Sequence, residues 1–474
     1  MRYLSTRDPS SRPRTVSFED ALLAGLAPDG GLFVPERLPA LAPESVADLA
    51  GLAYAGLAAR IVGLFAQDSF AEAELRGFAE AAYRGFRHRA VAPLVQLDER
   101  LWLLELFHGP TLAFKDLALQ LVGQLFDAAL ARRGEQVTVI GATSGDTGSA
   151  AIEACRDRAA IDIFILYPHG RVSEVQRRQM TTVDSPTAHA LAIEGTFDDC
   201  QDLVKALFTD ESLRRELNLS AVNSINFARI AAQIVYYVAA AAALGAPARP
   251  ISFSVPTGNF GNVYAAHLAR RIGVPIARLV IGTNANDILA RYIAAGEMAI
   301  APVVPSLSPS MDIQVSSNFE RLLFELKGGG GAAVADALRQ FRRTGTLPPD
   351  EQAWRAASGQ FSAHRVDDEQ TLATIADTYA RTGILVDPHS AVGLAAARRE
   401  LERAPGGSPM VALACANPAK FPDAVERATG VRPVLPAALA DLGERRERVT
   451  VLPNDLAAIA SFIRSRARRA RRAA

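Results

Sequence analysis

The chain has 474 residues, 51 basic and 51 acidic side chains, no net charge, and 49% hydrophobic residues. So balanced a composition offers no global field to a nucleic acid or an anionic membrane, and the length is enough for a large core in two lobes. Three widely separated cysteines, Cys155, Cys200 and Cys415, lack metal-ligand spacing and argue against a disulfide scaffold or a metal centre.

The start of the chain has no signal-peptide core, and the longest apolar run, 234–248, contains Gly245 and Pro247 and is too short for a membrane helix. The expectation is a cytoplasmic protein, monomer or homodimer, whose partners are small molecules, with no nucleic acid and no membrane. Residues 1–93 form a mostly helical N-terminal lobe, with a turn at Asp29, Gly30 and Gly31 and Ala/Leu-rich amphipathic segments over 43–86. From residue 94 to the end the pattern is that of a core in two lobes. Short apolar runs predict strands at 101–106, 137–140, 161–166, 190–193, a stretch ending near 222, 251–255, 278–281, 384–386 and 411–415. Helical stretches alternate with them over 116–133, from 148, from 198, over 231–244 and from 262. Such alternation implies right-handed crossovers and mostly parallel sheets covered by helices, an α/β fold. A helical insertion is expected around 300–370, and the six arginines between Arg464 and Arg472 read as a solvated face or tail.

The basic residues are nearly all arginine. Lysine occurs only at Lys115, Lys205, Lys327 and Lys420. Arginine keeps its proton in a protein, whereas a desolvated lysine can become a neutral amine, a base or a nucleophile toward a carbonyl. Lys115 stands just past a Gly-Pro turn, in HGPTLAFKD (108–116).

In parallel sheets ligands lie beyond the carboxyl ends of the strands, and four further loops stand there. ATSGDTG (142–148) opens a helix with hydroxyls and glycines, which suits an anion but is also ordinary capping chemistry. PTGNFGN (256–262) has two glycines three apart at another helix start; it lacks the Gly-Lys-Ser/Thr ending and the GxGxxG pattern of nucleotide loops, so a compact monophosphate fits better. VNSINFAR (222–229) brings Asn223, Ser224 and Arg229 together, suited to a second phosphate or a carboxylate. The last, ACANPAKF (414–421), brings Cys415 and Lys420 to the same end of the sheet.

Two phosphate-type loops and a lysine without a metal cluster suggest a lysine-bound cofactor carrying a phosphate, pyridoxal 5'-phosphate. The ordered set HGPTLAFKD, ATSGDTG, VNSINFAR, PTGNFGN, DPHSAVG and NPAKF, preceded by STR (5–7) and DGGLFVP (29–35), resembles the threonine synthase family of the longer bacterial and fungal type. The resemblance implies the two-lobed fold of tryptophan synthase β-like enzymes and conversion of O-phospho-L-homoserine and water to L-threonine and phosphate. It implies that Lys115 carries the cofactor and serves catalysis. Gly258, Asn259, Phe260, Gly261 and Asn262 then hold the cofactor phosphate, and Asp146 and Cys415 also face the cofactor. Thr143, Ser144 and Thr147 meet the substrate carboxylate, and Asn223, Ser224 and Arg229 the substrate phosphate. Where the family usually has Ser/Thr-Ala-His, this chain has Cys415, Ala416 and Asn417, a weaker donor toward the pyridine nitrogen and one titratable group fewer. The alternatives are a phospholyase of threonine-synthase-like type releasing a 2-oxo acid, and a catalytically inactive pyridoxal-phosphate-binding protein. A serine/threonine dehydratase is disfavoured by the Asn223, Ser224 and Arg229 group.

Overall fold

The computed structural model describes residues 1–221, 225–404 and 406–468. Its strands in chain order are β1 (Tyr3–Ser5), β2 (Phe33–Pro35), β3 (Leu94–Gln96), β4 (Leu101–Glu105), β5 (Val137–Ala142), β6 (Ile161–Pro168), β7 (Ala188–Glu194), β8 (Leu219–Ala221), β9 (Ile251–Pro256), β10 (Ile276–Thr283), β11 (Phe361–Arg365), β12 (Met410–Ala414) and β13 (Val449–Pro453). Beside the small antiparallel pair β1-β2 lie two main sheets. The larger has the order β11-β10-β9-β12-β4-β3, parallel except for β3, and the smaller has the order β13-β7-β6-β5-β8, parallel throughout.

The central strands β6, β9 and β12 are buried at every residue, which is why they read as unbroken apolar runs with no alternation. Two helices fill the space between the sheets, Lys115–Arg133 and Phe227–Ala243. Phe227–Ala243 is apolar almost all round, as a helix covered on nearly every side must be, while Lys115–Arg133 keeps polar residues toward its exposed end. Each leucine, valine or phenylalanine they bury contributes about 1.5–3 kcal/mol relative to exposure.

The first 93 residues contribute the helices Phe18–Ala24, Pro43–Ala47, Tyr54–Ala66 and Glu72–Tyr83. Their buried faces share one hydrophobic core with the two central helices: Phe65, for instance, meets Phe227 with ring centroids 5.6 Å apart. In the 300–370 region the helices Phe319–Leu326, Gly331–Thr344 and Glu351–Ser358 precede the edge strand β11.

One expected strand does not form. Residues 384–386 are apolar because they pack against the helices beside β12, but β12 is already flanked by β9 and β4, so no ladder position is left for them. They lead instead into the helix Pro388–Arg403, capped by Asp387. The C-terminal arginines are also more engaged than a solvated tail. Arg464 pairs with Glu216 at 3.0 Å, and Arg468 pairs with Asp162 at 2.8 Å and donates to the Ile161 carbonyl at 2.7 Å. These contacts hold the segment up to Arg468 beside the smaller sheet, where β13 pairs with β7, while Arg469, Arg471 and Arg472 lie outside the described residues.

Candidate active site

The five chemistry-bearing loops all follow the carboxyl ends of strands, those after β4, β9 and β12 on the larger sheet and those after β5 and β8 on the smaller. The loop after β4 turns sharply at 109–112 before the helix that begins at Lys115. Asp116 makes that turn rigid: it is fully buried and accepts from the Thr111 N–H at 2.8 Å and the Thr111 hydroxyl at 2.7 Å. A side chain at Gly109 would have its Cβ 2.4 Å from Asp116 Cβ, so only glycine fits. Burial raises the Asp116 carboxyl to about 6 although the Thr111 hydrogen bonds oppose it.

Lys115 is 8% exposed, and its Nζ lies 3.4 Å from Asp146 Oδ2. Asp146 opens the helix Asp146–Cys155, where the helix dipole also favours a carboxylate. Its other oxygen lies 2.7 Å from Lys420 Nζ and accepts from Gln176 Nε2 at 2.9 Å. Burial alone would raise this carboxyl, but Lys420 and then Lys115 outweigh it and hold it well below the usual range. Gly145, at φ 142°, lets the backbone turn under Gln176, whose amide would lie 2.4 Å from a Cβ there. The Thr111 carbonyl closes the cluster by accepting from Lys420 Nζ at 2.7 Å and from Gln179 Nε2 at 3.0 Å.

The loop after β12 runs directly beside Lys115. Cys415 accepts at its carbonyl from the Phe114 N–H at 2.8 Å, and the Asn417 N–H donates to the Leu112 carbonyl at 3.0 Å. From the far side the Cys415 N–H donates to Ser390 Oγ at 2.8 Å. Ser390 donates to Asp387, which also accepts from the Ala416 N–H at 3.3 Å and bonds His389 Nδ1 at 2.9 Å. His389 Nε2 then accepts from the Ser310 N–H at 3.2 Å. Burial pushes the Cys415 thiol far up, with Asp387 adding to it, so the sulfur stays protonated.

In the loop after β9, Phe260 takes a left-handed conformation at φ 64° ahead of the helix Gly261–Arg271. The loop is braced by Ser316, which donates to the Gly258 carbonyl at 2.6 Å, and by Asn318, which donates to the Asn259 carbonyl at 3.1 Å. The Tyr236 and Tyr237 hydroxyls donate to Asn262 Oδ1, the latter at 2.7 Å, while Asn262 Nδ2 is buried with no partner among the described residues. The opening N–H groups of this helix precede any intrahelical acceptor and are available to an anion.

Arg229 lies in the first turn of the helix Phe227–Ala243, whose cap Asn226 accepts from the Ala228 N–H at 3.0 Å. It is 4% exposed, and its Nε and Nη1 have no partner among the described residues. Burial lowers its guanidinium to about 10. Arg321, fully buried, joins the two anion-type regions: Nη2 donates to the Ile225 carbonyl, Nη1 to Asn318, and Nε to the Phe33 carbonyl at 3.0 Å.

The structure thus gathers Lys115, Asp146 and Cys415 around one point. The Tyr236 and Tyr237 hydroxyls, whose ionisation burial opposes, both hold Asn262. Thr143 is buried and its hydroxyl accepts from the N–H groups of Gly145 and Gly148, at 3.0 and 2.8 Å, so much of its hydrogen-bonding capacity shapes the loop itself. Ser144 and Thr147 are half-buried. Asn223 and Ser224 lie outside the described residues. Gln176, Gln179, Asp387, His389, Ser390 and Arg321 were given no role from sequence. Only the DPHSAVG motif and the rarity of lysine pointed toward any of this second ring.

A buried lysine beside a carboxylate, a glycine-rich helix start and a protonated thiol, gathered at the carboxyl ends of the two main sheets, fit a pyridoxal phosphate enzyme, and residues 86–416 match the family model described as pyridoxal-phosphate dependent enzyme. Residues 2–83 match the threonine synthase N terminus and 390–463 the threonine synthase C-terminal model. Over 464 residues the chain is 54% identical to threonine synthase of Pseudomonas aeruginosa, covering 98% of each chain. It is 42% identical to that of Saccharomyces cerevisiae over 457 residues, covering 90% of this chain and 88% of the yeast one. The crystal structure of pyridoxal-phosphate-bound threonine synthase from Brucella melitensis superposes with a TM-score of 0.95 at 50% identity, covering 99% of this chain and 100% of the other. The chain belongs to the threonine synthase family.

Proposed function

We propose that the protein converts O-phospho-L-homoserine and water to L-threonine and phosphate, acting in the cytoplasm. The observation that carries this reading is the pairing of a buried lysine, Lys115, with a buried arginine, Arg229, whose Nε and Nη1 have no partner among the described residues. One supplies an amine, the other a charged fork for a phosphate. The orphaned Asn262 amide and the open helix start at Gly261 fit the cofactor phosphate. Pyridoxal phosphate, when bound, supplies an electron sink for the pair left when a proton leaves Cα.

In this reading Lys115 holds the cofactor, the 258–262 loop grips its phosphate, and Cys415 faces its ring nitrogen without protonating it. Thr143, Ser144 and Thr147 lie by the substrate carboxylate, and Asn223, Ser224 and Arg229 by its phosphate. The neutral Lys115 Nζ takes the Cα proton and a second proton leaves Cβ; the γ C–O bond then breaks with loss of phosphate. The two protons return to the substrate at Cγ, which becomes the methyl group, and at Cα, while the proton of the added water leaves with the phosphate. Water adds at Cβ, so the site must admit one water and exclude others. The contacts from Lys420 to Asp146 and from Gln179 to Thr111 join the two sheets around Lys115 and support such closure. The test is product analysis with O-phosphohomoserine. Threonine and phosphate in equal amounts are expected; phosphate with a 2-oxo acid in place of threonine would make the protein a phospholyase.

A further inference from the structure

Two of the chain's four lysines converge on one carboxylate. Lys420 is fully buried, with its Nζ 2.7 Å from Asp146 Oδ1 and 2.7 Å from the Thr111 carbonyl that accepts from it. Lys115 Nζ reaches the other oxygen of Asp146 at the longer distance of 3.4 Å. The two lysines come from the larger sheet, from the turn after β12 and the helix after β4, while Asp146 comes from the smaller sheet, after β5. Elsewhere in this sequence arginine fills almost every basic position. A planar guanidinium, with its wide fork, does not match a fully enclosed point shared by one carboxylate oxygen and one carbonyl, whereas a compact ammonium does.

The shorter contact and the second acceptor make Lys420 the resident counter-ion of Asp146. A carboxylate so compensated holds the Lys115 proton far less than a bare one 3.4 Å away would, and a nearby second ammonium repels that proton besides. We propose that Lys420 is a positioning residue that neutralises Asp146 from across the cleft and so leaves Lys115 free to act as an amine. This rests on Lys115 being the cofactor lysine, but the proton equilibrium of Lys115 can be followed whether or not that assignment holds.

The groups facing this pair are few. Cys415 interacts with both Lys115 and Asp146 but stays protonated, and His389 acts on Asp146 from the helix after 387. The Phe114 ring, its centroid 4.7 Å from Lys115 Nζ, carries no charge. Asp116 is engaged by Thr111 and responds to Lys420. Removing Lys420 therefore uncovers an anion and deletes a cation, and both changes hold the proton on Lys115.

With only four lysines, the full-length chain labelled with ¹³Cε-lysine and freed of cofactor gives four side-chain resonances, which Lys205→Arg and Lys327→Arg help to assign. In Lys420→Met the Lys115 titration midpoint should rise by about one to two pH units. Asp146→Asn, which leaves Lys420 uncompensated, should lower it, and the double variant should fall between the two. In the loaded enzyme the acid limb of the rate profile should move up in Lys420→Met by a similar amount. A midpoint unchanged or lowered in Lys420→Met overturns the proposal, as does a shift in the same direction for both single variants, which a purely structural role would give. Should Lys420→Met fail to fold, Lys420→Gln, which keeps a donor for the Thr111 carbonyl without the charge, decides: an unchanged or lowered Lys115 midpoint overturns the proposal.

Discussion

The 258–262 loop, partly buried, and Arg229, buried in the first turn of a central helix, are finished to different degrees. The loop takes its shape from neutral partners within the protein: Ser316 on the Gly258 carbonyl, Asn318 on the Asn259 carbonyl, Tyr237 on Asn262. Arg229 carries a full charge, and two of its nitrogens are buried with no partner among the described residues. An unsatisfied buried donor costs about 1–3 kcal/mol, more when charged, so among the described residues the two open nitrogens of Arg229 have more to gain from an anion than the single neutral amide of Asn262 in the loop. The difference suits a resident group held at the loop and a transient one at Arg229, since only the second site gains most of its stabilisation when its ligand enters and the lobes close.

The most severe way to break this contrast is at the lysine both sites serve. Lys115→Arg keeps the charge but cannot give up a proton, so covalent attachment of the cofactor and turnover should both be abolished, seen as loss of the visible absorption band of the lysine-bound cofactor. Normal turnover in this variant would remove Lys115 from the mechanism.

Arg321 sets the next test, because it is bonded to both sides at once through Ile225 and Asn318. Arg321→Met removes three buried hydrogen bonds and should cost about 3 kcal/mol or more in unfolding free energy, with cofactor retention and substrate affinity both falling. Arg321→Lys should rescue little, since one ammonium cannot reach three acceptors in a fork geometry. Loss of only one of the two affinities would show that the sites are shaped independently.

Arg229→Ala sharpens the comparison directly. Substrate binding should weaken by about 1.5–3 kcal/mol, roughly 10- to 150-fold in Kd, with cofactor content unchanged. If equilibrium dialysis instead shows cofactor lost and substrate affinity kept, the two phosphate positions are exchanged.

How much of this was legible in sequence follows burial. The central strands β5, β6, β9, β10 and β12 were read close to their observed bounds because strands covered on both faces are unbroken apolar runs. Of the edge strands, β8 was read, but β13, which is half exposed, and β11, which mixes Ser362, His364 and Arg365 into its ladder, were not. Residues 384–386 were apolar enough for a strand yet had no free ladder beside them. Lys115 and Arg229 were singled out as residue types in suggestive loops. The braces Arg321, Asp387 and Gln176 were not, because each acts on a partner 29 to 96 positions away, a relation that one sequence does not display.

Asp116 tests whether the turn carrying Lys115 gains its rigidity from a buried charge or from geometry alone. Its carboxyl sits at about 6 in the folded chain against an ordinary value of 3.8. A carboxyl raised on folding stabilises the protein below its unfolded value, and that contribution is lost as pH climbs through 6. Asp116→Asn keeps an acceptor for the Thr111 N–H and removes the charge. Chemical denaturation should therefore show wild type losing about 1–3 kcal/mol relative to the variant between pH 4 and pH 6. A pH-independent difference would mean that Asp116 remains charged throughout, held by Thr111 and Lys420.

The smallest effect is expected where this chain departs from its family's pattern. Cys415 is buried and protonated, and its backbone is fixed from both sides by Ser390 and Phe114, so exchanging the side chain need not move the loop. Threonine is close in volume and restores a stronger donor toward a ring nitrogen. Cys415→Thr should accordingly keep threonine formation within a few-fold of wild type, or raise it. Cys415→Asp differs in kind: a carboxylate there would favour a protonated ring, draw the reaction toward 2-oxo acid by-products, and sit uncompensated beside Asp387. The ratio of threonine to 2-oxo acid for the three proteins measures the effect without depending on total activity. If Cys415→Thr is inactive while Cys415→Asp gives the wild-type ratio and rate, the side chain of residue 415 does not face the ring, and the loop after β12 serves only to brace the backbone around Lys115.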